Sequence, residues 1–148
     1  MKILKIVGHP VLIMSMFLLI LISGEAFGGP YLLYLILGLP HGTDHAIVGF
    51  LGLFCLFTSY KIYRNKKEHW SKPALALMGM LGLLFSLYIF FSNDKMRYNY
   101  STFEQTVPLF SLALFGLCII CGLIINGFKL IDSIGRRSNT PMDTMRST

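Results

Sequence analysis

The sequence predicts an all-α integral membrane protein that folds as a four-helix bundle. Apolar residues make up 54% of the 148-residue chain, and charged residues only 14%, whereas a typical soluble domain has about 25% charged residues. The apolar residues fall into four stretches, each long enough to cross a hydrocarbon core of about 30 Å. This composition excludes a disordered chain, a secreted disulfide scaffold and an ordinary soluble enzyme.

The four predicted spans form a single domain over residues 1–132. Short polar or glycine-containing connections separate them, and they cover residues 6–22, 31–60, 73–91 and 107–131. Residues 133–148 contain almost no apolar side chains. We therefore expect this last segment to be a polar, disordered tail on the cytoplasmic side.

Basic residues are divided unevenly between the two sides of the predicted bundle. All but Lys95 and Arg97 of the 13 basic residues precede the first span, separate the second and third spans, or lie at and beyond the end of the fourth. Because positive charge is retained on the cytoplasmic side, we expect both termini in the cytoplasm, in a bacterial cytoplasmic membrane. The net charge of +6 is then a topology signal, and we expect the lipid bilayer as a partner and no nucleic acid.

The first span has an alternative interpretation. Lys2 and Lys5, the apolar run after them and the small residues before residue 27 are also typical of a cleaved signal peptide.

The second apolar stretch is too long for one straight span. Thirty residues of helix extend about 45 Å, and the sequence GLPHGTDH, residues 38–45, interrupts the stretch. Pro40 removes a backbone donor and clashes with the preceding turn. We therefore expect the second helix to be kinked or broken near Pro40, with half-helices at residues 31–37 and 43–60. Because backbone groups freed inside a membrane need protein or water partners, the break should face the bundle interior.

The same segment supplies the candidate site. His41 and His45 lie four residues apart, which places them on one face of a helix with Asp44 beside them. A carboxylate in mid-membrane costs about 2.5–3.5 kcal/mol on insertion scales, and such groups are usually paired and often functional. At about 1.5 Å per residue from the outer boundary, His9 reaches the same depth as His45. We therefore take His9, His41, Asp44 and His45 as candidate metal ligands, or as a structural cluster in which Asp44 pairs with a histidine.

Three further features of the spans are interpreted as structural. Cys118 and Cys121 have C-x-x-C spacing, but an apolar helix is not the setting of redox motifs. We expect them, together with Cys55, to be free thiols shielded from water. Glycines in the third and fourth spans favour close helix packing, and Asn126 is expected to form an interhelical hydrogen bond.

The string Pro40-His41-Gly42-Thr43-Asp44-His45 resembles the P-H-G-x-x-D-H motif of the Brp/Blh family. Those bacterial membrane dioxygenases cleave β-carotene with iron held by histidines, so the resemblance implies that His41 and His45 are iron ligands. It covers about eight residues, with one residue fewer before Asp44 than the motif has. Nothing after His69 matches the family's later histidines. As a whole, the chain resembles small multi-pass membrane proteins of bacteria.

Three functions stay open on the sequence, which does not decide whether the protein is an enzyme. The first is a non-catalytic accessory subunit or homo-oligomer within a larger membrane complex. The second is a metalloprotein with non-haem iron or haem that oxidises an apolar substrate, since two histidines and a carboxylate suit non-haem Fe(II). The third is an oligomeric transporter or channel component, because a broken helix with titratable groups is typical of transporter sites.

Overall fold

The computed structural model describes residues 6–24, 28–64 and 71–138, and this part of the chain is mostly helical, as predicted. Two short strands and a 3-10 helix (Tyr100–Phe103) accompany the helices. The strands are β1 (Leu21–Ile22) and β2 (Gly29–Pro30). The α-helices are α1 (Pro10–Leu18), α2 (Tyr31–Gly38), α3 (Asp44–Arg64), α4 (Ser71–Ser92) and α5 (Thr106–Ser138).

The first predicted span, residues 6–22, is not one continuous helix. α1 has only nine residues and begins at Pro10, whose fixed φ and missing N–H suit the first position of a helix. His9 caps this end, because its Nδ1 accepts a hydrogen bond from the backbone N–H of Val11 at 3.3 Å. The helix ends at Leu18, and the chain then becomes extended.

Side chains of the 3-10 helix and of α5 hold this extended segment in place. Leu21 lies opposite Pro30 in the antiparallel pairing of β1 with β2. The backbone N–H of Leu21 donates to Ser111 Oγ at 2.9 Å, and that of Ser23 donates to Thr102 Oγ1 at 2.9 Å. These bonds satisfy backbone groups that a continuous helix would satisfy internally, so the helix can end early.

The predicted break near Pro40 is confirmed. α2 ends at Gly38 and α3 begins at Asp44, each within one residue of the predicted half-helix. The backbone N–H of Thr43 donates to the carbonyl of Gly38 at 3.1 Å, and Gly42 adopts a φ of 62°, a left-handed conformation that glycine tolerates.

The break does not face the bundle interior, contrary to expectation. Pro40, His41 and Gly42 are all exposed, because the chain reverses direction here instead of continuing along one axis. Leu35 of α2 packs against Gly49 of α3, and Gly38 against Ala46. The earlier residue of α2 thus contacts the later residue of α3, which shows that the two helices form an antiparallel hairpin.

Glycines allow the closest helix contacts. A Cβ at Gly79 of α4 would lie 2.9 Å from the carbonyl oxygen of Gly52 in α3, so the two backbones touch. At Gly122 of α5 the space is filled by side-chain ends from α1 and α4, because a Cβ there would lie 2.6 Å from Ile13 Cδ1 and 2.8 Å from Met80 Cε. The core between these helices is apolar, and its largest fully buried side chains include Phe17, Leu56, Leu83, Phe115 and Ile119.

The end of α3, the start of α4 and the end of α5 share one end of the bundle. Ser59 Oγ in α3 donates to the carbonyl of Lys72 in α4 at 2.9 Å, which fixes this arrangement. We call it the basic end, since Lys61, Lys72 and Lys129 all belong to it. The opposite end holds the turn between α2 and α3 and the connection between α4 and α5.

Two helices within the described residues are long and apolar enough to cross a membrane: Ser71–Ser92 and Thr106–Gly135. They correspond to the third and fourth predicted spans. α5 continues to Ser138, six residues into the segment predicted to be a disordered tail. The rest of that tail, together with Lys2 and Lys5, lies outside the described residues.

Candidate functional site

His45 lies in an aromatic cluster between α2, α3 and α4. Its ring centroid is 5.2 Å from that of Phe90 and 6.4 Å from that of Tyr31. Phe90 also packs edge-to-face on Tyr31 and on Tyr34, with both centroids 5.1 Å away. The hairpin of α2 and α3 is therefore anchored to α4 by aromatic side chains, each of which buries a large apolar area.

A buried hydroxyl pair reinforces this anchor. Tyr31 and Ser86 are both 0% exposed, and their hydroxyl oxygens lie 3.0 Å apart. Ser86 Oγ also donates to the backbone carbonyl of His45 at 2.7 Å. Because a buried polar group without a partner costs about 1–3 kcal/mol, these bonds fix α2, α3 and α4 in one relative position.

Two buried polar atoms border Gly38. Within the described residues, neither Thr43 Oγ1 nor His45 Nε2 has a hydrogen-bond partner. A Cβ at Gly38 would contact Thr43 Oγ1 and would lie 3.1 Å from His45 Nε2. The glycine therefore leaves room for both polar atoms at the point where the hairpin closes.

The other two residues of the predicted cluster point away from this interior. His41 is exposed, and its Nδ1 lies 2.8 Å from the carbonyl of Leu37, at the end of α2. Asp44 is exposed as well and borders an open depression beside Ser92 and Asn93. Within the described residues, no hydrogen bond or ion pair joins Asp44 to a histidine. Asp44 instead lies in the first turn of α3, where the helix dipole favours a negative charge.

His9 does not share a layer with His45, contrary to prediction. Its ring packs edge-to-face on Tyr60 at 5.7 Å, and Tyr60 lies 15 residues after His45 along α3, roughly 22 Å away. The depth predicted from the number of residues is wrong because α2 folds back beside α3. Tyr31 and His45, which are 14 residues apart in sequence, consequently lie side by side.

The four predicted ligands therefore do not converge on one point. Within the described parts of the chain, no three His, Cys, Asp or Glu side chains are grouped closely enough to hold a metal ion. The prediction that Cys55, Cys118 and Cys121 are free thiols is confirmed.

No family model, curated protein or solved structure matches the chain.

A second polar site, at the basic end, was missed in the sequence. A cavity of about 140 Å³ lies between the start of α1, the end of α3 and α5. Its polar lining residues are His9, Ser59, Tyr60, Asn126 and Lys129, and we call it the basic-end pocket.

Asn126 was expected to bond to another helix, but the described residues contain no such interhelical hydrogen bond. Nδ2 of Asn126 donates instead to the carbonyl of Gly122 in its own helix at 2.9 Å, and the side chain lines the basic-end pocket. Asn126 and Lys129 are three residues apart and share one face of α5. This spacing, together with the polar pair Ser59 and Tyr60 near the end of α3, is the sequence signal that could have predicted the pocket.

Proposed function

We propose that this chain is a four-pass integral membrane protein that acts as a non-catalytic subunit, either homo-oligomeric or accessory to a larger complex. The supporting observation is the extent of exposed apolar surface on the long helices. Phe54 of α3 is 66% exposed, Met78 of α4 is 64% exposed and Phe128 of α5 is 71% exposed. They belong to outward stripes that continue through Leu51, Leu81, Phe85, Ile120 and Ile124. Apolar surface on this scale marks a membrane or protein contact.

The first crossing is a short helix followed by extended chain. The nine residues of α1 rise about 14 Å, and the five residues 20–24, which follow a turn at Leu19, add roughly 16 Å when extended. Together they match a core of about 30 Å. Non-helical backbone is tolerated at membrane depth where protein surrounds it, and the bonds to Ser111 and Thr102 supply that surrounding.

The charge distribution supports an orientation with the basic end in the cytoplasm. Lys61, Lys72 and Lys129 lie at the basic end, while Lys95 and Arg97 at the opposite end are accompanied by Asp94 and Glu104. Retention of positive charge then directs both termini to the cytoplasm.

An unfilled notch on α5 supports the subunit role. A Cβ at Gly116 would meet no atom within 4 Å, whereas the spaces at Gly52, Gly79 and Gly122 are filled by neighbouring helices. Small residues let transmembrane helices approach closely. We assign this open face of α5, which includes the exposed Ala113, to contact with a helix of another chain.

Reporter fusions test the membrane topology. Fusions at residues 67 and 98 should report the cytoplasmic and the external side, respectively. Fusions that report the same side would contradict the four-pass arrangement.

Cysteine crosslinking in native membranes tests the subunit role. The background is a variant in which the three native cysteines are replaced by serine. Ala113→Cys should form a disulfide-linked product upon oxidation, because it shares the face of Gly116. Met78→Cys on α4 is an equally exposed control and should not. A protein that stays uncrosslinked at both positions, and that is extracted as a monomer without partners, would refute the subunit role.

A further inference from the structure

The basic-end pocket is a partly enclosed space with a polar lining, to which three helices contribute. Its volume of about 140 Å³ is well above the roughly 15 Å³ that a single water needs. Gly8, which lines the pocket just before α1, lets the chain approach α5 closely. A Cβ at Gly8 would lie 3.0 Å from the backbone nitrogen of Gly122, so the two backbones touch beside the pocket.

The pocket lining is rich in hydrogen-bond donors. Because Nδ1 of His9 accepts the N–H of Val11, the neutral imidazole carries its proton on Nε2, which is then a donor. Within the described residues, the hydroxyl of Tyr60 makes no hydrogen bond. Asn126 uses one of its two amide protons on Gly122 and is only 7% exposed.

Among the described residues that line the cavity, the formal charge is positive. Lys129 adds an ammonium group, and none of these described lining residues is Asp or Glu. The first turn of α1 also begins here, and the N-terminus of a helix favours negative charge. Donors and positive charge together select a ligand that is anionic and rich in acceptors, and phosphate meets both conditions.

We propose that the basic-end pocket binds the phosphate group of an anionic phospholipid. This inference rests on the proposed orientation, which places the basic end at the level of the cytoplasmic headgroups. Pockets of this type, lined by basic residues between transmembrane helices on the cytoplasmic side, bind lipid headgroups. The phosphate lies against Lys129, Tyr60 and His9, and the acyl chains extend along the apolar helix surface.

The test compares two lipids that differ by the phosphoglycerol headgroup, which diacylglycerol lacks. The full-length protein, purified in detergent, is titrated with phosphatidylglycerol or with diacylglycerol of the same acyl chains, and melting temperature and lipid retention in native mass spectrometry are measured. Phosphatidylglycerol should raise the melting temperature and remain bound, whereas diacylglycerol should do neither. Equal effects of the two lipids would overturn the proposal.

Inorganic phosphate tests whether the phosphate group that binds belongs to a lipid headgroup or to a soluble phosphate. If it raises the melting temperature as much as phosphatidylglycerol does, the phosphate site is upheld and its ligand is a soluble phosphate. No response to either phosphate compound overturns the site.

Matched variants locate the binding. Lys129→Gln should weaken phosphatidylglycerol binding by roughly tenfold or more, since it removes a charge-assisted bond, and Tyr60→Phe should weaken it by a smaller factor. Lys95→Gln removes the same charge at the opposite end and should leave binding unchanged. Because Lys129 is exposed and exposed ion pairs contribute little to stability, its variant should melt close to the parent without lipid. Equal losses in Lys129→Gln and Lys95→Gln would refute the assignment to this pocket.

The two proposals fail separately. Reporter fusions that contradict the orientation leave a detergent measurement of phosphate binding intact. A protein that inserts as proposed but binds phosphatidylglycerol no better than diacylglycerol refutes only the pocket.

Discussion

The contact between α3 and α4 predicts a large difference between two glycine-to-alanine substitutions. A Cβ at Gly52 would lie 2.9 Å from Leu83 Cδ2, which can move, but also 3.0 Å from the carbonyl oxygen of Gly79 and from the backbone nitrogen of Leu83. Ordinary contacts need about half an ångström more, so Gly52→Ala must separate the helices. Overpacking of this kind costs about 1–3 kcal/mol.

Gly116→Ala is the matched control on α5. No atom lies within 4 Å of its added Cβ, and alanine favours the helix over glycine by up to about 1 kcal/mol. At about 2–4 °C per kcal/mol for a chain of this size, Gly52→Ala should melt roughly 2–12 °C below the parent in detergent. Measured on the monomeric fraction in detergent, in which no partner helix covers Gly116, Gly116→Ala should melt at or above the parent. Equal melting temperatures for the two variants would refute the close packing of α3 on α4.

The same melting assay tests three other features. Ser86→Ala removes a buried hydroxyl that joins α2, α3 and α4 and should cost about 1–3 kcal/mol, whereas Ser92→Ala, an exposed hydroxyl on the same helix, should change stability by less than about 0.5 kcal/mol. His45→Ala should lower the melting temperature well below that of Asp44→Asn, because the histidine ring packs in the aromatic cluster and the carboxylate is exposed. Equal losses in those two variants would contradict the placement of the two side chains. Gly42→Ala should cost about 1–2 kcal/mol, because a φ of 62° is unfavourable for a residue with a Cβ. A variant as stable as the parent would argue against this turn.

Local sequence signals predicted the helix boundaries well where one residue type determines the backbone. Pro40 and the glycines beside it placed the break to within one residue, because proline and glycine act through their own dihedral angles. The third predicted span was placed to within two residues at both ends, and the fourth to within one residue at its start, whereas α5 runs seven residues past the predicted end. Uninterrupted apolar runs determine those helices.

The early end of α1 could not be predicted, because distant residues determine it. The extended backbone after Leu18 is stabilised by Ser111 and Thr102, about 80 to 90 residues away in sequence. Nothing in the local pattern distinguishes residues 19–22 from a continuing apolar helix.

The candidate site was only partly predictable for a related reason. The residues of the cluster were identified, but their relative placement assumed that residues 41–45 are helical and that depth increases steadily along the second span. Both assumptions fail at one turn, which exposes His41 and leaves His45 beside Tyr31.

In the proposed four-pass arrangement, the length of α3 lets the chain reverse there without losing a crossing. The 21 residues of α3 rise about 31 Å, which matches a core of about 30 Å without α2. In that arrangement α2 has no crossing to complete, and its buried residues Tyr31 and Leu35 cover the adjacent end of α3. Ile36 and Leu37 are 50% and 59% exposed on its other side, so in the proposed orientation α2 lies in the outer leaflet with this side toward lipid. We therefore propose that the 30-residue apolar stretch is one complete crossing preceded by a half-helix, with the polar residues between them at its outer end.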